Sequence, residues 1–278
     1  MIVVRLTLRE AANRKVLLVG AVISTAFLLL FWLGFTVGFN SAANDAVDDP
    51  EVTAMAGTLM TVLGLYAVQF LAAFMAVLLA SGAVAPEIDS GRLHAILARP
   101  ISRSWWLAQR AGTFAVLAAV YIVVMSGVIL AIAARVAGYG AIAPGRAVGL
   151  LALEVVVLVA LGTALSVRLS SIAAGVVVIA LYGAAWIAGI MEIVGTALGN
   201  DTLERIGVAV SLVIPSDALW RGASYYLQSP AFMAATSGDI ALPFAGDAAP
   251  SVPFIAWAVA YAAGWWLLAD RWFRRRDL

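Results

Sequence analysis

Cysteine, histidine and lysine are almost missing from this chain of 278 residues. There is no cysteine, and the only histidine and the only lysine are His94 and Lys15. The lack of cysteine excludes disulfides, thiolate metal sites and thiol nucleophiles. A single histidine excludes multi-histidine metal sites and argues against histidine-based catalysis. We therefore predict no catalytic residue, no metal site and no cofactor in this chain.

The lone lysine also bears on nucleotide binding. A P-loop needs the pattern G-x-x-x-x-G-K-[ST], in which the lysine reaches the β- and γ-phosphates. Lys15 follows Ala12-Asn13-Arg14, with no glycine run before it. We therefore expect that the chain is not an enzyme, and that any ATP-driven step, with its ATP and Mg²⁺, belongs to a partner subunit.

Charged residues are scarce as well. They make up 12% of the chain and apolar residues 64%, whereas soluble domains carry about 25% charged residues. The apolar excess has to face lipid, and without water to satisfy the backbone, the lipid-embedded segments must be helices. The formal net charge of +1 gives no indication of a nucleic-acid partner. The predicted fold class is an all-α polytopic membrane protein.

Six apolar stretches reach the roughly 20 residues that a membrane-spanning helix needs. They cover about 16–39, 54–85, 106–134, 147–167, 172–195 and 252–269. We predict one transmembrane domain over 1–278. Its remaining parts are an interfacial helix over 1–15, a cytoplasmic loop over 86–105 and an outer segment over 196–251.

Arginine and lysine are distributed unevenly between the segments that flank these spans. Thirteen lie on one side: Arg5, Arg9, Arg14, Lys15, Arg92, Arg99, Arg103, Arg110, Arg168, Arg271, Arg274, Arg275 and Arg276. Four lie on the other side: Arg135, Arg146, Arg205 and Arg221. Since cytoplasmic loops carry the excess of positive charge, both termini are predicted to be cytoplasmic.

Two segments depart from a simple bundle of hairpins. The second span, of about 32 residues or roughly 48 Å, exceeds a hydrocarbon layer of about 30 Å, so it must tilt or project into the cytoplasm. The outer segment contains the apolar stretch 206–214, followed by Pro215, and Ser216 or Asp217 is predicted to cap a short helix there. This part is expected to lie on the outer leaflet or dip into it.

The cytoplasmic loop carries helix signals. Pro86 suits a first helical position, Glu87 places negative charge in the first turn, and Pro100 stops the helix after Arg99. An apolar strip is formed by Leu93, Ile96 and Leu97. Ser102 is predicted to cap the helix that follows. The short helix over 87–99 either lies on the lipid headgroups or docks a soluble partner.

The loop also resembles a known family. Its pattern Glu87-x-x-x-Gly91-x-Leu93-x-x-x-Leu97-x-Arg99-Pro100-x-Ser102-Arg103 looks like the signature of type-2 ABC exporter permeases. The order of elements agrees along nearly the whole chain, and Pro215-Ser216-Asp217-Ala218-Leu219 is similar to a segment of the small permeases of this family.

The resemblance implies a function and a set of partners. The segment 87–99 would be the coupling helix that contacts a separate ATPase subunit, and the residues that match the signature are Glu87, Gly91, Leu93, Arg99 and Pro100. The transporter would contain two permease copies and two ATPase copies, and would export substrate across the bacterial cytoplasmic (inner) membrane.

Charges and small residues inside the spans give further candidate sites. Glu154 in span four and Glu192 near the outer end of span five are candidates for the substrate path. The alternatives are a structural hydrogen bond for Glu154 and snorkelling to the interface for Glu192, while Arg168 is interpreted as a topology anchor. Gly34-x-x-x-Gly38 is a helix-contact pattern, and the resemblance places span one at the contact between two copies.

Three other functions stay open. A permease of the same fold could pass mechanical work to a periplasmic protein, as in metal-site maturation systems. A secondary transporter would usually show inverted repeats and broken helices, which we do not find in the sequence. Asn44-Asp45-x-x-Asp48-Asp49 looks a little like the start of an intramembrane prenyltransferase motif, but no second acidic motif follows.

Overall fold

The computed structural model describes residues 4–7, 15–45, 50–89, 91, 102–235, 246 and 248–276. In these ranges the chain is helical and has no strand. The helices are α1 (Lys15–Asp45), α2 (Pro50–Ser81), α3 (Ala85–Asp89), α4 (Arg103–Ala137), α5 (Pro144–Arg168), α6 (Ser171–Leu198), α7 (Asp201–Val213), α8 (Ser216–Leu227), α9 (Pro230–Ala235) and α10 (Val252–Arg274). Residues 4–7 are helical too. The predicted all-α fold class is confirmed.

Six of these segments are long and apolar enough to cross a membrane, among the residues described. They are α1, α2 together with α3, α4, α5, α6 and α10, and they coincide with the six predicted stretches to within several residues. The protein is therefore a polytopic α-helical membrane protein. With 32 residues, α2 has the predicted length of roughly 48 Å at 1.5 Å per residue.

Helix α5 forms the centre of the bundle and α1 its edge. α5 packs against α2, α4, α8 and α10, and its side chains are largely buried. α1 packs along α2 and α4 and leaves Leu18, Val22 and Leu30 exposed. Because lipid tails are as apolar as leucine, such a surface suits either the bilayer or a second membrane protein.

Side-chain caps define several helix starts. Ser102 accepts a hydrogen bond from the backbone N–H of Trp105 (3.3 Å), which confirms the predicted cap of α4. Ser170, Asn200 and Ser251 cap α6, α7 and α10 in the same way. These caps satisfy N–H groups that a helix leaves unpaired in its first turn.

The outer segment folds into two helices that meet at a sharp corner. α7 and α8 are bent by 100° relative to each other, and the corner is formed by Ile214 and Pro215. The predicted cap of α8 is wrong: Pro215 takes the N-cap position, and no side chain makes a capping hydrogen bond. Asp217 instead lies beside Arg221 of the same helix, since residues four apart share a helix face.

Candidate functional site

The first candidate site lies where α2 ends on the predicted cytoplasmic side. A turn over 82–84 leads into α3, and Glu87 of α3 is buried, with 3% of its surface exposed. Its Oε1 atom accepts a hydrogen bond from Nη2 of Arg110 in α4 at 3.1 Å. Both side chains are at most 5% exposed, so this is a buried ion pair between the end of span two and the start of span three.

Aromatic rings enclose the Arg110 guanidinium. Its central carbon lies 5.4 Å from the ring centroid of Trp106 and 5.7 Å from that of Phe114, both within the range of a cation–π interaction. Trp106 in turn stacks on Phe273 of α10, with centroids 5.5 Å apart. The ion pair is thereby connected to α3, α4 and α10 through fully packed side chains.

The structure gives Glu87 a partner within the chain. The carboxylate faces the interior of the bundle and binds Arg110, a residue that the sequence marked only as a topology charge. The sequence signal that could have identified Arg110 as a buried residue is the spacing Trp106-x-x-x-Arg110-x-x-x-Phe114. This spacing puts one cation between two aromatic residues on the same helix face. A basic residue within an apolar helix needs such partners.

The predicted helix over 87–99 is described only over 87–89 and at Gly91. α3 ends at Asp89, and Gly91 has a φ angle of +67°, which lies outside the right-handed helical region and is accessible to glycine at little cost. The N–H of Gly91 donates to the carbonyl oxygen of Ile88 at 3.0 Å. The other matching residues lie outside the described part of the chain: Leu93, Arg99 and Pro100.

The second candidate site is an ion triad at the outer end of the bundle. Nη2 of Arg221 in α8 lies 2.7 Å from Oε2 of Glu192 in α6, and its Nε lies 3.0 Å from Oδ2 of Asp217. Ser211 of α7 is 3.4 Å from the same guanidinium. Glu192 was predicted as a substrate-path residue, and its cation partner was not.

Glycines in α6 and α7 allow the triad to form. A Cβ atom at Gly189 would lie 1.9 Å from Oδ2 of Asp217, and one at Gly207 would lie 2.5 Å from Cβ of Glu192. A larger residue at either position would force the contacting atoms to shift, because such distances are far below van der Waals contact. At Gly207 the Cβ would also lie 2.8 Å from the backbone oxygen of Ala188, so α7 itself would have to move. The lack of a side chain at Gly189 and Gly207 therefore allows α7 and α8 to pack this closely on α6.

The triad borders an outer cavity of ≈ 440 Å³. Its polar wall is formed by Glu192, Ser211, Arg221 and Ser251. The rest of the lining comes from apolar residues of α6, α7, α8 and α10 and from residues of the segment before α10. Outside the six spans, burial of Asp217 raises its carboxyl pKa to about 6, and Arg221 opposes this increase. The cavity can hold a ligand with one polar and one apolar part.

Glu154 lies in α5, inside the bundle and away from lipid. Only 1% of its surface is exposed, and its Oε1 atom has no hydrogen-bond partner. Three groups interact with its carboxyl electrostatically: Tyr66 of α2, Tyr182 of α6 and Asp217 of α8. Of these groups, Asp217 also contacts Arg221, the residue that binds Glu192.

The two tyrosines near Glu154 accept hydrogen bonds from other side chains. The Nε2 atom of Gln69 donates to the hydroxyl of Tyr182 at 3.0 Å, and the indole N–H of Trp186 donates to the hydroxyl of Tyr66. Phe70 packs edge-on against Tyr182. The Oε1 atom of Gln69 is buried and has no hydrogen-bond partner. Two unsatisfied oxygens in one interior region are unusual, since buried polar groups are normally paired.

The Gly34/Gly38 pattern divides between two surroundings. Gly34 is exposed and nothing lies within 4 Å of the place where a Cβ would stand. At Gly38 a Cβ would meet the end of Met60 of α2 at 2.9 Å. Arg168 lies at the end of α5, with its guanidinium 5.2 Å from the ring centroid of Trp272, as expected for an anchor at a membrane interface.

The class that this fold and these sites define is a polytopic α-helical membrane protein with a buried ion pair between α3 and α4 and a partly buried ion triad between α6 and α8. No protein-family model and no curated protein matches the chain.

Proposed function

We propose that the chain is the permease subunit of an ATP-driven type-2 ABC exporter in the bacterial cytoplasmic membrane. Two copies would assemble with two copies of a separate subunit that binds and hydrolyses ATP with Mg²⁺. The sequence signature over 87–103 and the six apolar helices support this function. The lone lysine, outside any P-loop pattern, is consistent with ATP hydrolysis on a partner.

The observation that carries the proposal is the ion pair between Glu87 and Arg110. A partner that pushes on the loop after α3 moves a segment that a buried salt bridge fixes to α4. α4 is fixed in turn to α10 by the stack of Trp106 on Phe273. Motion of the partner is then transmitted to two spans instead of being absorbed by the loop. In this scheme Glu87 is a positioning residue: it holds α3 against α4 and does not itself contact the partner.

A ligand can drive such a change only through contacts that differ between states. ATP binding would close the two partner subunits and move the loop over 86–105 together with α3. α2, which precedes that loop, and α4, which follows it, would tilt. The outer cavity beside Glu192 would then open or close. Glu154 and Glu192 belong to the proposed substrate path, which suits amphipathic cargo.

The test is purification of the tagged full chain from its native membrane, followed by identification of co-purifying proteins and measurement of ATP hydrolysis. We expect an ABC ATPase subunit in equal amount. Glu87→Gln should keep this subunit bound but abolish the stimulation of ATP hydrolysis by transported compounds. The matched control is Glu204→Gln, which changes an exposed acid on the outer helix α7 and should leave stimulation intact. Purification of the chain alone, with no ATPase, would contradict the proposal.

A further inference from the structure

Arginines from three helices meet at one end of the bundle. Nη1 of Arg103, the first residue of α4, donates to the carbonyl oxygen of Arg276 after α10 at 2.8 Å. Arg276 in turn donates to the carbonyl oxygen of Val167 near the end of α5. The start of α4 and the ends of α5 and α10 therefore lie side by side, and this end is the cytoplasmic one in the predicted orientation.

Two arginines at this end have no counter-charge. Arg274 binds Asp270 at 3.0 Å. Arg271 and Arg275 are exposed, and neither forms an ion pair with another described residue. Because like charges four positions apart at a helix end repel each other, an anion that binds between these two side chains is stabilising.

A surface cavity of ≈ 350 Å³ is lined by Arg271, Arg274 and Arg275. Guanidinium groups donate two parallel hydrogen bonds to the oxygens of a phosphate, which is why arginine is common in phosphate sites. Trp272 lies in the same turn of α10, and tryptophan favours the headgroup level of a bilayer. The cavity is therefore placed where the phosphates of lipids lie.

An apolar groove of ≈ 360 Å³ opens between α4 and α10, with α5 as its floor. All its lining residues are apolar, and the side of α10 ends at Trp266. The wall on α4 consists of small residues, which leave the space open: Ala108, Ala111, Gly112 and Ala115. Such a groove suits a hydrocarbon chain.

The groove lies in the half of the membrane next to the arginines. At 1.5 Å per residue, Gly112 is about 14 Å along α4 from Arg103, and Trp266 is about 12 Å along α10 from Arg274. Half of a hydrocarbon layer of about 30 Å is about 15 Å. The groove and the arginine cavity therefore belong to the same leaflet.

One face of α10 connects the groove to the cavity. Ala263 lines the groove and Arg271 lines the cavity. Leu267 stands between them at intervals of four residues and is 64% exposed. Residues four apart share a helix face, so a single amphiphile can contact all three.

We propose that this surface binds one anionic phospholipid from the leaflet at the arginine end of the bundle. The phosphate binds Arg271 and Arg275, and one acyl chain passes Leu267 into the groove between α4 and α10. A basic pocket beside membrane helices is the arrangement that selects anionic headgroups. A zwitterionic lipid fits the groove equally well but brings no net negative charge to the unpaired arginines. This inference does not depend on the proposed ATP partner.

The experiment is native mass spectrometry of the full-length protein in detergent, titrated with phosphatidylglycerol or phosphatidylcholine of the same acyl chains. Wild type should bind one phosphatidylglycerol per chain, more tightly than phosphatidylcholine. Arg271→Gln with Arg275→Gln should weaken phosphatidylglycerol binding about 30-fold and leave phosphatidylcholine binding unchanged. The matched control is Arg135→Gln with Arg205→Gln, which removes two exposed arginines away from this end and should leave both affinities unchanged.

Gly112→Leu tests the groove. Nothing lies within 4 Å of a Cβ at Gly112, so a side chain added there can extend into the groove. It should weaken phosphatidylglycerol binding about tenfold, as expected when about two methylene groups of the acyl chain lose their burial. Gly127→Leu in the same helix, with the same free space but outside the groove, is the control and should bind as wild type does.

Several results would overturn the proposal. Equal wild-type affinity for the two lipids would do so, and so would equal losses in the two double arginine variants. Displacement of phosphatidylglycerol by millimolar inorganic phosphate, with unchanged binding in Gly112→Leu, would identify the ligand as a soluble phosphate. Conversion of a dimer to a monomer by Gly112→Leu in lipid-free detergent would identify the groove as a contact between two copies. If the double arginine variant does not fold, the wild-type comparison and Gly112→Leu still decide the question.

Discussion

The ion pair between Glu87 and Arg110 makes a quantitative prediction. Removal of one partner from a buried pair costs about 3–5 kcal/mol, whereas an exposed pair is worth about 0–1 kcal/mol. The side chains of Arg110 and Glu87 are only 5% and 4% exposed, so the cost for a buried pair applies. Glu87→Gln should therefore lower the free energy of unfolding by about 3–5 kcal/mol.

Arg110→Gln should be more damaging than Glu87→Gln. It removes the ion pair and also the contact of the guanidinium with Trp106 and Phe114. A desolvated cation–π interaction is worth about 2 kcal/mol, so the loss should exceed that of Glu87→Gln by a similar amount. The double variant leaves two neutral amides facing each other, and its loss should fall short of the summed single losses by about 2–3 kcal/mol.

The assay is tryptophan fluorescence during unfolding of the full chain in detergent micelles. A second cycle with Asp270→Asn and Arg274→Gln is the matched control, because that pair has the same kind of contact at 3.0 Å but its Arg274 side chain is 60% exposed. The control cycle should give a coupling energy of about 0–1 kcal/mol. Equal coupling in both cycles, or additive losses for Glu87 and Arg110, would refute the reasoning.

Three further predictions concern single residues. Gly189→Ala should lower stability by about 1–3 kcal/mol, since its Cβ would meet Oδ2 of Asp217 at 1.9 Å. The control is Gly183→Ala in the same helix, where nothing lies within 4 Å of the added Cβ. Equal thermal unfolding of the two variants would contradict the close contact at Gly189. Ser102→Ala should lower stability by about 1 kcal/mol through loss of the α4 cap, whereas Ser104→Ala should not. Chemical unfolding curves that are indistinguishable for the two variants would argue against capping by Ser102. Because burial raises the pKa of Asp217 to about 6, the folded state binds the proton more tightly than the unfolded chain. Stability should therefore fall as pH rises from about 4 to about 6 and stay constant above. Asp217→Asn should remove the part of this pH dependence of stability that Asp217 causes, as measured by unfolding curves recorded at several pH values. An unchanged pH dependence would contradict the raised pKa of Asp217.

The sequence was sufficient to predict the spans, because an apolar run of about 20 residues has few alternatives to a membrane helix. Ser102 was equally predictable, since a cap depends on residues three positions apart. The side chain of Glu87 was not, because it depends on Arg110, 23 residues away on another helix. Local patterns carry no information on such a pairing.

The outer segment illustrates the same limit. Asp217 has the residue type and position of a helix cap, yet it lies against Arg221, which also binds Glu192 of α6. The 100° corner between α7 and α8 results from how both helices pack on α6, where Gly189 and Gly207 permit the approach. Tertiary packing here overrides a local preference, as it commonly does for short helices.

The most direct test of the proposed permease function is cross-linking from the cytoplasmic loop to the ATPase in native membranes. The chain has no cysteine, so one introduced residue gives a unique attachment point. His94→Cys should form a cross-linked product that contains an ABC ATPase subunit, and the yield should change when ATP is added. Glu204→Cys on the outer helix α7 should form none. Absence of an ATPase product from His94→Cys, or the same product from both positions, would contradict the proposed function.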